Sequence, residues 1–285
     1  MLEPDPWAVA SEARSASRWR RLAASWNSAP TQALIDAADP VPGSLVLDLA
    51  AGSGDPAIDI AMRFGGARVV ALDRSGGGLV TAQQVAQNLG IAERLWFIQA
   101  DVHRLPLPNS CFDRVTCRCG IMFFDKTHIA LREALRVLKP GGRAAFLAWG
   151  PFEQPLFEST LGTVLRLTPG VTLPEAAGRM FRFARAGSLE GALREAGFRA
   201  VKEEHLTLRR IWAGSPQELW EYQQEVGALF QPMFQAISAA ARPRIDEAVW
   251  TALSHFQDGE TITVPIDVVL ATGENRMTSL SFRST

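Results

Sequence analysis

The sequence predicts an α/β fold built on an open parallel sheet, and three observations predict it. Short β-branched runs alternate with longer helical ones from residue 44 to 149. The first run passes through a glycine-rich turn into a helix, in the stretch "LVLDLAAGSGDPAIDIA" from Leu45 to Ala61. Acids stand at successive strand ends, at Asp48, Asp73 and Asp101.

Each element follows in order. Residues 1–40 read as helical, studded by Trp7, Trp19 and Trp26. "SLVLDLA" is a buried strand, and Asp55 with Pro56 forms the N-cap and first-turn pair of a helix through Phe64. "ARVVALD" is the second strand, "GGGLVTAQQVAQNLG" a helix stopped by Gly90, and "RLWFIQAD" the third strand. "FDRVTCRCG" supplies the fourth. "THIALREALRVL" spaces Ile129, Leu131, Leu135 and Leu138 near helical periodicity, "KPGG" ends that helix, and "RAAFLAWG" is a fifth strand. The rhythm then changes. Residues 151–186, rich in Pro, Phe and Gly, predict an irregular segment with short helices. "SLEGALREAGF" is a helix between a Ser188 cap and a Gly197 stop, and "RAVKEEHLTLRRI" alternates as a strand with one exposed face. Residues 215–257 read as helical with Pro232 and Pro243 as breaks, ahead of a last strand in "ETITVPIDVVLATG".

The 285 residues suffice for one substantial core carrying an insertion. Hydrophobic residues at 47% and charged ones at 21% place the chain with ordinary globular proteins. A formal net charge of −1 offers no global field for a polyanion, which disfavours nucleic acid as a partner. No apolar run approaches the width of a bilayer, and "MLEPDPWAVASEARSASRWRR" lacks a secretory pattern. A cytoplasmic protein without membrane insertion is the expectation. Cys111, Cys117 and Cys119 fit reduced thiols. Their spacing makes a three-thiol metal site conceivable, but buried strand thiols are far commoner, and no metal is expected.

In an open α/β sheet the ligand site forms at the carboxyl ends of the strands. Gly52, Gly54 and Ala57 satisfy a G-x-G-x-x-A dinucleotide fingerprint. Asp73 follows Gly54 by roughly 20 positions, the spacing of a ribose-binding acid. Yet a pyrophosphate wants backbone N–H groups and a helix start free of anions. With Asp48 before the turn and Asp55 at the helix start, the site suits a ligand bearing an amino group and a sulfonium. S-adenosylmethionine is such a ligand. Gly52 and Gly54 would let the backbone approach its methionine part.

"LDLAAGSGD", "VVALDRS", "IQADVHRLPLPNSCFDRV" and "ALREALRVLKPGGRAAFLAWG" together resemble the class I S-adenosylmethionine-dependent methyltransferases. More narrowly, they resemble the ubiquinone/menaquinone-type (UbiE-like) branch, over roughly residues 44–150. The resemblance implies a Rossmann-like open sheet, mostly parallel with an antiparallel last strand, and helices on both faces. The family's acid-x-Gly-x-Gly-x-Gly loop falls on Asp48, Ala50, Gly52 and Gly54, with Ala50 in place of the first glycine. Its ribose acid falls on Asp73, its adenine-contacting acid on Asp101, a neighbouring backbone contact on Val102, and a lining position on Cys119. Ser53, Arg74 and Arg118 complete the expected cofactor set.

The reaction implied is in-line methyl transfer to a small acceptor, leaving S-adenosylhomocysteine. The donor is already activated, so positioning and exclusion of water do much of the work without a triad or a metal. His128, which opens the helix after strand four, is the candidate base if the acceptor must lose a proton. His103 is assigned to capping a turn. Phe123, Phe124, Trp149 and Trp26 are candidate pocket residues, and core packing accounts for them as well. "CRCGIMFF" lacks the Asn/Asp-Pro-Pro-aromatic sequence used on planar amino groups of bases. An apolar or aromatic, quinone-like or polyketide-like acceptor is therefore expected by resemblance. Residues 1–40 are expected to form a helical lid and 41–150 the cofactor-binding core. Residues 151–285 would complete the sheet, with substrate caps at 151–186 and 213–258. A rearrangement or cyclisation with the cofactor held structurally, a non-catalytic S-adenosylmethionine-binding protein, and a homodimer are also compatible with these residues.

Overall fold

Leu45–Leu49 is buried on both faces because this strand, β1, lies inside a sheet. The computed structural model describes residues 20–276. β1 pairs in parallel with β2 (Arg68–Asp73) on one side and β4 (Phe112–Arg118) on the other, which buries Val46, Leu47 and Leu49. β2 pairs with β3 (Leu95–Gln99), and β4 with β5 (Leu138–Trp149), again in parallel. β6 (Arg199–Trp212) closes the far edge. The last long strand, β7 (Thr261–Glu274), inserts antiparallel between β5 and β6, and the two-residue strand Gln257–Asp258 folds back onto it. The order is therefore β3-β2-β1-β4-β5-β7-β6. This is the open, mostly parallel Rossmann-like sheet with an antiparallel last strand that the motifs imply.

Successive side chains on a strand point to opposite faces, so one strand feeds two cores. Leu47 and Leu49 pack with Val115 and Cys117 beneath α4 (Thr127–Val137) and α5 (Ser188–Ala196). Val46, Val69 and Ala71 pack on the other side against Ile35 of α1 (Arg20–Ala38), α2 (Ala57–Arg63) and α3 (Gly76–Asn88). A third cluster joins α1 and the inner face of β5, β6 and β7 to the inserted helices. These include the run Pro155–Leu167, with a π-helical turn at Glu158–Gly162, together with α6 (Pro216–Val226) and α7 (Arg242–Ser254). Among the described residues no helix is long and apolar enough to cross a membrane. Trp7 and Trp19 lie outside the described residues.

Several local signals resolve differently from expectation. Asp55 does not cap α2: Pro56 holds the N-cap, and the Asp55 carboxylate turns to Arg118. "KPGG" is not a helix stop but the first part of β5, where Gly141 N–H donates to the Asn275 carbonyl and Asn275 N–H to that of Gly142. The helix has already ended at Val137, because Leu138 is extended and paired with Phe112, and Lys139, preceding Pro140, disfavours the helical region. Ser188 is the first residue of α5 rather than its cap. Gly187, at φ 77°, holds that place, and both Glu203 carboxylate oxygens accept from Gly187 and Glu190 N–H at 2.7 Å. A long-range acid has displaced the local serine. Pro232 and Pro243 mark the expected interruptions of the 215–257 stretch, each in the first turn of a new helix, where a missing N–H costs nothing.

At α6 the local chemistry is decisive. Ser215 Oγ accepts from Glu218 N–H at 3.2 Å, while the Glu218 carboxylate accepts from Ser215 N–H at 2.7 Å. Ser215→Ala should therefore lower unfolding stability by about 1 kcal/mol. Urea denaturation of the two proteins checks this, and an unchanged midpoint would mean the cap is dispensable.

Candidate functional site

The turn after β1 is built from backbone that ordinary residues avoid. Ala50, Gly52 and Gly54 all have positive φ, at 56°, 51° and 109°. Ala50 tolerates this with its methyl group packed where Gly120 leaves room, since a Cβ on Gly120 would collide with the Ala50 Cβ. The departure from glycine at Ala50 is thus matched across the site by a glycine after β4. Gly54 serves packing: a side chain there would run into Ile58 and Ala82. Gly54 does not border the cavity described below.

Asp73 fixes the turn from the next strand. Its Oδ2 accepts from Gly52 N–H and its Oδ1 from Ser75 N–H, both at 2.8 Å. Each carboxylate oxygen keeps a lone pair for a further donor, and the carboxylate is held in one orientation. Asp101, after β3, accepts from both the backbone N–H and Nδ1 of His103, at 2.9 and 2.6 Å, and the first of these bonds chiefly holds its pKa below the usual range. Lys126 N–H donates to His103 Nε2 at 3.2 Å, so the imidazole bridges the β3 loop to the start of α4. Arg118 reaches Asp55 at 3.4 Å.

Asp48 lies beneath the turn rather than in front of it. It is fully buried, and its Oδ1 accepts from Thr116 Oγ1 at 2.8 Å. Burial pushes its pKa up to about 7, against the opposing pull of Thr116 and of the Arg118 charge.

These strand ends open into a cavity of about 560 Å³. One end is polar, lined by Ala50, Gly52, Ser53, Asp73, Arg74, Asp101, Val102, Arg118 and Cys119. The other is aromatic and aliphatic, lined by Trp26, Trp149, Phe157, Tyr222, Phe230 and Val268, with Phe123 and Phe124 also on the wall. The structure therefore brings together every predicted site residue except Asp48, Gly54 and His128. His128 is exposed on α4 and lies outside the lining, because its helix turns it to solvent. The histidine at the cavity is His103, which the sequence reading assigned to a turn. Arg210 was missed altogether, although a signal existed: in "LTLRRIW" the period of two puts Arg210 on the face of Leu208 and Trp212.

A family model described as a methyltransferase domain matches residues 46–142. The ubiquinone/menaquinone biosynthesis C-methyltransferase UbiE of Klebsiella pneumoniae is 30% identical over 176 residues, covering 58% of this chain and 70% of that protein. The chain belongs to the UbiE-like class I S-adenosylmethionine-dependent methyltransferases. UbiE of Cereibacter sphaeroides is 35% identical over 126 residues, and demethylmenaquinone methyltransferase of Thermus thermophilus 37% over 134. The first match covers 44% of this chain and 50% of the relative, the second 47% and 55%. This UbiE-like chain therefore spans about half the length of these two relatives. Among solved structures, the YcgJ protein of Bacillus subtilis superposes with a TM-score of 0.57 at 21% identity, covering 87% of this chain and 99% of that one. The [4+2]-cyclase SpnF gives 0.54 at 19%, covering 87% and 80%. At these identities the likeness is one of fold.

The residues present fit the family's cofactor. Asp73, the acid that the resemblance assigns to the ribose, is oriented by two backbone donors. Beside it, Ser75 lines the cavity, and its buried hydroxyl has no hydrogen-bond partner among the described residues. Such an orphaned group is costly unless a ligand engages it.

Proposed function

We propose that this chain methylates a small, flat, aromatic or quinone-like acceptor, with S-adenosylmethionine held at the polar end of the cavity and the acceptor at the aromatic end. The observation that carries this reading is the continuity of one cavity from the glycine turn, Asp73 and Asp101 to Trp26, Trp149 and Phe157. S-adenosylmethionine supplies an activated methyl group on a sulfonium. Asp73 would accept from the ribose hydroxyls, Asp101 from the adenine amino group, and the backbone of Gly52 and Ser53 would lie against the methionine part. Ser75 and Arg118 line the same end of the cavity, where they would meet its remaining polar atoms.

The aromatic end positions the acceptor and excludes water, which is most of what in-line transfer to an activated donor requires. Its walls come from α1 and the 213–258 insertion as well as from the sheet, so these segments act as a lid and cap. The quinone-methylating relatives support a quinone-like acceptor. No base is assigned to His128. His103 holds Asp101 in place, with both ring nitrogens engaged.

The test is incubation with methyl-labelled S-adenosylmethionine and a panel of hydroquinones and phenols. Label should appear in a product of the acceptor, with S-adenosylhomocysteine formed in equal amount. Binding of the cofactor with conversion of an acceptor but no transfer of label would instead favour a rearranging enzyme.

A further inference from the structure

A proline interrupts the hydrogen-bond ladder of α1 where the helix borders the cavity. Pro30 lies inside this helix and has no N–H, so the Trp26 carbonyl, four residues earlier, loses its helical donor. Arg210 of β6 supplies another: its Nε donates to that carbonyl at 2.6 Å. Its Cζ stands 4.2 Å from the centre of the Trp26 ring, and its Nη2 donates to Asn27 Oδ1, again at 2.6 Å. Trp26, Asn27, Pro30 and Arg210 all line the cavity.

The last of these bonds sets the amide of Asn27. A guanidinium only donates, so the amide atom turned to it is the oxygen, and the nitrogen stands on the other side. No group among the described residues accepts from that nitrogen. Asn27 therefore brings to the aromatic end two neutral N–H donors whose orientation is fixed before any ligand arrives. A donor held in this way loses little side-chain freedom when a ligand binds. Among apolar walls it favours a ligand atom with a lone pair over a C–H, because a buried donor left unmatched is costly.

We propose that Asn27 determines which acceptor is taken, its amide N–H groups donating to an oxygen on the acceptor ring. This rests on the methyltransferase reading and deepens it. The ring carries a carbonyl or hydroxyl oxygen on the side that meets α1, and the bond to it fixes how the flat ring turns within the aromatic walls. Pro30 and Arg210 act through Asn27, as positioning residues.

The test compares two flat probes of nearly the same shape, 1-indanone and indane, with S-adenosylhomocysteine saturating. The ketone has an oxygen that can accept, and the hydrocarbon has none. Asn27→Asp keeps an oxygen for Arg210 Nη2 and loses both N–H donors, whereas Asn27→Leu loses tether and donors alike. In each variant the ratio of ketone to hydrocarbon affinity, read by NMR titration, should fall about five- to tenfold from the wild-type value, the scale of one hydrogen bond. A purely structural role through the Arg210 tether would spare Asn27→Asp. An unchanged ratio in a folded Asn27→Asp protein would overturn the proposal, and so would a wild-type chain that fails to bind the ketone. The wild-type chain decides even if both variants fail to fold. Its Asn27 side-chain amide protons should move downfield with 1-indanone and not with indane, and equal shifts with the two probes would overturn the proposal as well. Binding of S-adenosylhomocysteine, measured in the same samples, separates the two ideas. If it is intact while ketone recognition does not depend on Asn27, only the recognition fails. If it is absent, the methyltransferase reading fails.

Discussion

Asp73→Ala should bind S-adenosylhomocysteine about 30- to 150-fold more weakly than the wild-type chain, equivalent to roughly 2–3 kcal/mol for two charge-assisted hydrogen bonds. Part of that loss would come from the protein itself. Removing the carboxylate strands the Gly52 and Ser75 N–H groups and loosens the turn that Asp73 now fixes. Asp73→Asn separates the contributions, because its amide oxygen can still accept one of those bonds while the charge is gone. Calorimetric titration of both variants, with melting of the unliganded proteins, provides the measurement. Wild-type affinity in a folded Asp73→Ala protein would place the ribose elsewhere.

Unfolding stability should carry a component that falls as pH rises from about 4 to about 7, and its source should be Asp48. The carboxyl is fully buried and its pKa stands near 7 in the folded chain, against 3.8 without burial. An acid whose pKa is raised by folding binds its proton more tightly in the folded state. Below the unfolded value both states are protonated and nothing is lost. Between the two values the folded chain must either hold a proton that solvent no longer supplies or bury a charge, and above 7 the full penalty applies. A difference of about 3 pKa units corresponds to an upper bound of about 4 kcal/mol. Asp55 and Arg118 face the same carboxyl and modulate it with opposite signs, while Thr116 bonds to it. Asp48→Asn is neutral throughout and should lack this component. The difference between the two proteins in urea midpoints, taken at pH 5 and pH 8, isolates it from the surface acids whose pKa values are lowered. Parallel profiles would show that Asp48 titrates near its ordinary range.

These two residues also show where sequence reading reaches its limit. Asp73 could be placed from the sequence because its position follows from spacing: a glycine turn, a helix and a strand put an acid at the next strand end. Asp48 lies in the same motif, yet its placement under the turn depends on β4 closing over it with Thr116. No spacing expresses that. Ser188 and Glu203 make the same contrast on α5. A serine before an apolar run is a local capping signal, but an acid from β6 outcompetes it because a carboxylate can accept from two N–H groups at once.

By itself the sequence determined what short-range physics controls: the alternation of strands and helices, the glycine turn, the acids at strand ends, and through them the cofactor class. Apolar periodicity and the conformations open to glycine act over a few residues, so they are legible in a few residues. The tertiary structure decided which residues face the cavity. His128 turns to solvent while His103 turns inward, and Arg210 meets Trp26 across 184 positions of chain. Those outcomes rest on how β6 and β7 add to the sheet and how α1 seats against them. That seating is fixed by the simultaneous burial of Trp26, Trp212 and Tyr222, a many-body packing condition that no single stretch of the chain contains.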